Sequence, residues 1–376
     1  MIAVDILADD LTGALDAGAC FATPDAPLPV RWRASSRGSG ARGPGAWDRG
    51  AGAFDSETRS VPAEEAARRT VSLLSGLGRG RLAFKKVDSL LRGNTIHEIG
   101  ACIDTGRFAS VVIAPAFPAQ GRITRGGQQY SRGRDDEDWL PIGPNLMDAS
   151  KLWAKPARLL PADETARGSA TLVCDCAQER DLASLPRRVA GMTAPLLWCG
   201  TAGLARALAG VGVRVRPPPA RRILVLVGSD DCVSARQVEA LDCGRLLRIA
   251  GARAAEATRT MLTDPAATER VVVLRLIRPE LEDEGGAGAF AGALGRLLAG
   301  VAAPDLFIAT GGDTLMAVLA AVGADHAQAL GEIEPGIPLA MVKGGAWDAC
   351  SFVSKAGGFG HSGTLRQIVQ DALRKE

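Results

Sequence analysis

The chain has 376 residues, 47% of them hydrophobic and 23% charged, an ordinary globular composition that excludes wholesale disorder. Its 44 Lys and Arg stand against 42 Asp and Glu, a formal charge of +2, without the basic excess of a dedicated nucleic-acid or membrane-surface binder. The length suits two domains better than one small core.

In chain order, residues 2–7 form an apolar run interrupted by Asp5 and closed by Asp9 and Asp10. The run is too short for a membrane span and has no basic flank of the signal-peptide kind, so it reads as a first buried strand of a cytoplasmic protein. Further strand candidates follow at 82–86, 110–114, 170–174 and 196–199, with Ala/Leu-rich helical stretches between them, such as 63–77 after Pro62. Residues 31–52, rich in Arg, Gly and Ser, read as a mobile loop. Beyond Pro217–Pro219 the strand candidates are 223–227, 271–276, 306–309, 339–341 and 352–354. Strands alternating with helices predict an α/β fold, two domains with mainly parallel sheets. Three successive prolines fit neither a helix nor a central strand. The expected organisation is a first domain over 1–215, a Pro-rich linker over 216–222 and a second domain over 223–376. The eight cysteines form no Cys-x-x-Cys pair, and with three histidines they assemble no zinc spacing. They read as free, mostly buried thiols, and no metal-ligating residue is assigned.

The charged motifs sit where strands end. The segment Leu7-Ala8-Asp9-Asp10-Leu11-Thr12-Gly13 places two carboxylates at a strand's carboxyl end, where open α/β sheets put ligand contacts. Adjacent carboxylates need a cation, a hydroxyl or an Arg when buried. The alternative role is a helix N-cap for the stretch starting near Leu11, and spacing leaves both open. Phe84-Lys85-Lys86-Val87-Asp88-Ser89-Leu90-Leu91-Arg92-Gly93-Asn94 can hold an anion by charge-assisted hydrogen bonds while its Asp handles a hydroxyl. The loop 114–122, with two prolines, ends on Gly121-Arg122, and Arg122 is a candidate anion contact.

The second half is punctuated by glycine turns: Gly228-Ser229 after one strand, Thr310-Gly311-Gly312-Asp313-Thr314 after another, and Ser354-Lys355-Ala356-Gly357-Gly358-Phe359-Gly360 after a third. Small residues let backbone N–H groups approach a phosphate, and a helix beginning near Thr314 offers it a positive end. Gly38–Gly43 matches the dinucleotide-binding pattern with no apolar strand before it and no helix pattern after it, and Gly286–Ala291 matches the looser form but follows an acidic loop over 280–284. No Walker A sequence and no Gly-x-Ser-x-Gly elbow occurs.

Together these segments resemble the four-carbon acid sugar kinase family. The pieces that carry the likeness are 8–18, 85–94, 114–122, 199–208, 228–241, 310–314 and 354–360, in the family's order and across nearly the whole chain. The resemblance implies ATP-dependent phosphorylation of the terminal C4 hydroxyl of threonate, erythronate or a 3-oxo form. It also implies an N-terminal sugar-acid domain, a C-terminal nucleotide domain, a cleft site between them, and Mg²⁺ as companion of ATP. On that pattern Asp9, Asp10 and Asp88 supply the catalytic carboxylate, with Asp10 preferred as base. Arg59, Lys86, Arg92 and Arg122 bind the acid; Arg59 comes from residues 55–59, similar to the family's acidic-Ser-Arg turn. Ser229, Gly311, Gly312, Asp313, Thr314, Gly357 and Gly358 hold the nucleotide, with Asp313 assisting the metal through water. Leu90 stands where the family usually has Thr, Asp230-Asp231 replace smaller residues, residues 131–149 match poorly, and the chain is shorter than usual. These departures motivate an alternative, a non-catalytic binder of sugar acid and nucleotide. A nicotinamide-dependent oxidoreductase rests only on the two glycine matches. The expected partners are the sugar acid and ATP, with no nucleic acid and no membrane; a homodimer is compatible with the sequence.

Overall fold

The structure, a computed structural model, describes residues 2–32, 51–77, 81–132, 138–210, 214–242, 244–264, 268–277 and 289–374. The Gly38–Gly43 match, most of the 31–52 loop, the acidic stretch 280–284 and the start of the Gly286–Ala291 match lie outside the described residues. The chain forms two compact units, residues 1–22 with 28–213, and residues 23–27 with 214–376.

The strands of the first unit are β1 (Val4–Ala8), β2 (Leu28–Trp32), β3 (Gly52–Asp55), β4 (Leu82–Lys86), β5 (Ser110–Ala114), β6 (Arg122–Arg125), β7 (Gln128–Ser131), β8 (Leu140–Ile142), β9 (Arg158–Leu160), β10 (Arg167–Gly168), β11 (Thr171–Cys174), β12 (Gly191–Met192) and β13 (Leu196–Gly200). Its main sheet runs β2-β3-β1-β4-β13-β5-β11-β9, parallel throughout. β6, β7 and β8 make a small antiparallel sheet. The helices are α1 (Leu11–Ala19), α2 (Ala63–Leu74), α3 (Thr95–Asp104), α4 (Leu146–Ala149), α5 (Glu179–Arg188) and α6 (Ala202–Ala209). β1 is buried on both faces, the burial expected of a strand covered by helices on each side. Its interior Asp5 is answered by Arg81, 2.8 Å away. Leu7, Ile113, Val173 and Leu197 join Leu73 of α2 and Ile99 of α3 in one core.

In the second unit the strands are β14 (Ile223–Val227), β15 (Arg245–Ile249), β16 (Val271–Leu276), β17 (Leu306–Thr310), β18 (His326–Glu334), β19 (Ile337–Lys343) and β20 (Ser351–Lys355), in the order β15-β16-β14-β17-β20-β19-β18. The first five are parallel, and β19 runs antiparallel to both neighbours. The helices are α7 (Cys232–Glu239), α8 (Gly251–Thr263), α9 (Ala289–Leu298), α10 (Gly312–Ala321) and α11 (Thr364–Leu373). The prolines 217–219 carry no regular structure, and their flanks are tied into this unit, Val215 to Glu332 and Ala220 to Ala372.

Two expectations are corrected. Arg31, Trp32 and Gly52, read as loop, belong to β2 and β3: Trp32 is buried at the end of an alternating strand, and the Arg/Gly-rich composition next to it hid that alternation. The helix expected to begin near Thr314 starts at Gly312, its first turn masked in the sequence by glycines that also permit the turn before it. The expected strands 339–341 and 352–354 extend to Ile337–Lys343 and Ser351–Lys355. Cys20, Cys102, Cys174, Cys176, Cys199 and Cys350 are buried free thiols, whereas Cys232 is exposed. No helix among the described residues is long and apolar enough to cross a membrane.

Candidate functional site

In the first unit the candidate residues lie at the carboxyl ends of three adjacent strands, β3, β1 and β4. Asp10 caps α1: its Oδ1 accepts the Gly13 N–H at 2.7 Å. The carboxylate and cap readings of this pair therefore fall on one residue, because Oδ2 of Asp10 faces the Arg59 guanidinium. Arg59 Nε donates to Asp9 Oδ2 at 2.8 Å, and Nη2 lies 3.5 Å from Asp88 Oδ1. All three nitrogens of Arg59 thus face carboxylates, a concentration of charge that supplies the partner buried Asp side chains require.

The turn carrying Arg59 is held on β1. Ser56 donates through both N–H and Oγ to the Ala8 carbonyl, and the N–H groups of Thr58 and Arg59 both reach the Asp9 carbonyl. From the β4 side, Asn94 Nδ2 donates to the carbonyls of Thr58 and Val61, at 2.7 and 2.8 Å. Gly93, at φ +68°, lets the chains meet: a Cβ there would lie 2.8 Å from the Arg59 carbonyl.

Asp88 is saturated. It accepts the N–H groups of Leu90 and Arg92 and a two-point fork from the Arg92 side chain, at 2.9 and 2.7 Å. Position 90 therefore contributes its backbone to the site even though its side chain carries no hydroxyl. Arg92 is itself 60% exposed. Lys86 Nζ donates to the Val87 carbonyl and lies 3.9 Å from Asp16. Beneath the site, Lys85 and Glu98 form a fully buried ion pair at 2.5 Å. Arg122 opens β6 and donates to the Gln120 carbonyl, so the structure places it on the antiparallel sheet rather than at the β1 and β4 ends. Gln129 of β7 ties that sheet to the site, donating to the carbonyls of Ser89 and Pro115.

The three carboxyls differ electrostatically. Burial alone would raise Asp9, but Arg59, Lys85 and Lys86 together hold it below the usual carboxylate range. Asp88 is raised by burial and pulled further down by the Arg92 hydrogen bonds and by Arg59. Asp10 ends above its ordinary value, because burial and the adjacent Asp9 outweigh Arg59. It is also the more accessible of the adjacent pair, 22% exposed against 3% for Asp9. Burial and the charge of Asp10 push Asp55 up strongly as well. Asp9 Oδ1 is buried without a hydrogen-bond partner among the described residues.

In the second unit the register aligns Val227, Thr310 and Lys355 across β14, β17 and β20, so the glycine turns that follow them are neighbours. Glycine is required by space here. A Cβ on Gly228 would overlap Thr314 Oγ1, and one on Gly357 would overlap Ser229 Oγ. Gly311, at φ +97°, precedes α10 and gives that helix no side-chain cap. A Cβ on Gly358 would lie 3.0 Å from Asp231 Oδ2. Gly312, Asp313 and Thr314 form the first turn of α10, and Thr310 and Thr314 have buried hydroxyls with no hydrogen-bond partner among the described residues. Uncapped helical N–H groups, small residues and hydroxyls at adjacent strand ends suit a phosphate. The two acids that depart from the family pattern have local roles: Asp231 caps α7 through the Val233 N–H, and Asp230 lies 3.7 Å from Arg275, which also donates to the Ser229 carbonyl.

Sequence reading missed Asn94 as a clamp, Gln129, the Lys85–Glu98 pair, Arg275 and Lys355. The one signal for Lys355 was a lysine closing an apolar strand immediately before a Gly-Gly turn.

Comparison with known proteins bears on both units. Residues 4–139 match the family model described as a sugar-binding N-terminal domain, and residues 224–365 match that of a nucleotide-binding C-terminal domain. A D-threonate kinase of Cupriavidus necator is 34% identical over 96% of this chain and 95% of its own length. A D-threonate kinase of Bordetella bronchiseptica is 31% identical over 99% and 98%. A solved structure from Salmonella typhimurium LT2, described as a putative tRNA synthase, superposes with a TM-score of 0.71 at 21% identity, covering 98% of this chain and 99% of that one; at that identity the likeness is one of fold alone.

Proposed function

Because this chain belongs to the four-carbon acid sugar kinase family and is an ATP-dependent sugar-acid kinase, we propose that it phosphorylates the terminal C4 hydroxyl of a four-carbon acid, with D-threonate the first candidate. The observation that carries the reading is the Asp9–Asp10–Asp88 cluster gathered around Arg59 at the carboxyl ends of β1, β3 and β4.

Phosphoryl transfer needs positioning, neutralisation of charge and an acceptor for the hydroxyl proton. Asp10 suits the last role: its raised affinity for protons makes it a stronger base than Asp9 or Asp88, and it is partly exposed. Asp88 accepts four hydrogen bonds, a two-point fork from Arg92 and two backbone N–H groups, against one donor on each Asp10 oxygen, and Asp9 is almost closed off. Arg59, whose nitrogens all face carboxylates, orients these acids. Arg92 has N–H groups beyond its fork on Asp88 and an exposed side chain, and so suits the substrate carboxylate, with Lys86 beside the cluster.

Ser229, Gly311, Gly312, Thr314, Gly357 and Gly358 would cradle the ATP phosphates. Among the described residues no three His, Cys, Asp or Glu side chains gather as a metal cage. The oxygen donors present, Asp313 with the hydroxyls of Thr310 and Thr314, suit a hard cation that takes most of its ligands from phosphate and water. Mg²⁺ bound with ATP would neutralise phosphate charge.

The test is a screen of purified protein with Mg-ATP across D- and L-threonate, erythronate and their 3-oxo forms, reading ADP release and locating the new phosphate by NMR. C4-phosphorylated product is expected; absence of product from every acid defeats the reading. Asp10→Asn keeps a good N-cap and removes the base, and should lower kcat by about 10²–10⁴-fold while ATP binding persists.

A further inference from the structure

Lys355 is the last residue of β20 and is completely buried at the centre of the third glycine turn. Its Nζ donates to the carbonyls of Ala356 at 2.9 Å, Gly357 at 2.8 Å and Phe359 at 3.2 Å, and lies 3.4 Å from Ser234 Oγ. Ser234 in turn donates to the Gly357 carbonyl, and Gln237 Nε2, one turn further along α7, donates to the carbonyls of Phe359 and His361. The loop after β20 is therefore folded around an ammonium, with carbonyls turned inward on it and α7 fastening the outside. The Cα of Gly357 faces the other way, toward Ser229, since a Cβ there would run into the Ser229 hydroxyl.

We infer that Lys355 is a positioning residue for the nucleotide: it holds residues 356–359 in the shape that presents their backbone to the phosphates, and its positive charge, masked by carbonyls rather than by a carboxylate, remains available to an anion bound on the Ser229 side. The inference rests on the nucleotide reading of this unit and adds to it a residue that need not touch the ligand. A salt-bridged lysine would already have spent its charge. Here the charged group whose field reaches Lys355 is Asp231, an exposed carboxylate engaged in capping α7.

One consequence distinguishes this role from that of a loop strut. Burial lowers the Lys355 pKa to about 8, with Asp231 opposing only in part. Bound phosphates favour the protonated form and raise that value again. Slightly above pH 8 nucleotide binding must therefore draw a fraction of a proton from solvent, and binding must weaken as pH rises through this range.

The experiment is calorimetric titration of the full-length protein with Mg-ATP, without acid substrate, at about pH 8.5 in buffers of different ionisation enthalpy. ATP is fully ionised there, so its own titration adds nothing. We expect heats that vary with the buffer and correspond to proton uptake, and we expect Lys355→Met to abolish that variation while raising the KM for ATP about tenfold or more, with the KM for the acid little changed. Lys355→Arg should recover part of the affinity. Buffer-independent heats in the unaltered protein would overturn the inference while leaving the nucleotide site standing, and this holds whether or not the Met variant folds. A folded Met variant that binds ATP as tightly as the parent would also overturn it. If the unaltered protein gives no ATP binding at any pH, the nucleotide reading itself fails, and the inference with it.

Discussion

Arg59 is a single cation serving three acids, and the balance among them sets how this site responds to pH. Asp9 and Asp88 lie below their ordinary values in the folded protein, so the stability they contribute is present above about pH 4 and is lost as pH falls through their folded values. Asp10 and Asp55 lie above theirs and act in the opposite sense, costing stability once pH rises past about 4. Replacing Arg59 by Met leaves buried carboxylates without their counter-ion and should cost about 3 kcal/mol at neutral pH. Urea unfolding should show that deficit narrowing toward about pH 3, as the acids become protonated. A deficit independent of pH would mean that Arg59 contributes packing alone. Asp55→Asn is expected to behave differently. The Asn oxygen can still accept the Glu57 N–H that Asp55 accepts at 2.7 Å, while a charge is removed from beside Asp10. Thermal melts should therefore place the Asn variant level with the parent near pH 3.5, where the carboxyl is protonated in both states, and above it near pH 8, by at least about 1 kcal/mol.

At the scale of elements, α1 shows how closely helix and site are joined. All nine of its residues are buried, and Gly13 stands where a Cβ would lie 2.7 Å from Asp10 Oδ1 and 3.1 Å from Lys86 Nζ. Alanine is worth up to about 1 kcal/mol over glycine inside a helix, but here it must displace two site groups. Gly13→Ala should thus leave the melting temperature little changed and cut kcat/KM by about tenfold or more, since the Asp10 cap and the Lys86 ammonium both move. Full activity in that variant would detach both groups from the chemistry. The same coupling explains what could be read in advance. β1, β4, β14 and β17 are short apolar runs ending in charge or glycine, so both the strands and the residues at their ends were legible. β15 and β18 were not, because Arg245 and Arg248 in one and Glu332 and Glu334 in the other interrupt the apolar pattern. Arg59 was named because residues 55–59 resemble the family's acidic-Ser-Arg turn, whereas Asn94 acts on carbonyls 36 and 33 residues away, a relation no local pattern carries. Lys355 escaped for another reason: a lysine beside glycines reads as a solvated turn, and only the enclosing carbonyls show that it is buried.

For the whole molecule, the division of labour between the units is itself open to measurement. The charged cluster belongs wholly to the first unit and the three glycine turns wholly to the second. Each ligand should then order the backbone of one unit. In the first, the turn of residues 55–59 and the stretch 86–94 already bind each other through Asn94 and Gly93, so an acid held by Arg92 stiffens both at once. In the second, residues 228–231, 311–315 and 355–359 follow strands in direct register, so phosphates lying over one turn contact the next. Hydrogen exchange of local openings reports such stiffening segment by segment. Mg-ATP alone should slow exchange in those three turns and leave 55–59 and 86–94 unchanged, while D-threonate alone should do the reverse. An ATP footprint on 86–94, or a threonate footprint on 355–359, would show that the ligands have been assigned to the wrong units. A footprint from each in its own unit, with no turnover when both are present, would favour a binding protein over a kinase. Turnover with separate footprints would join the two halves of the proposed reaction without invoking any residue beyond those already named.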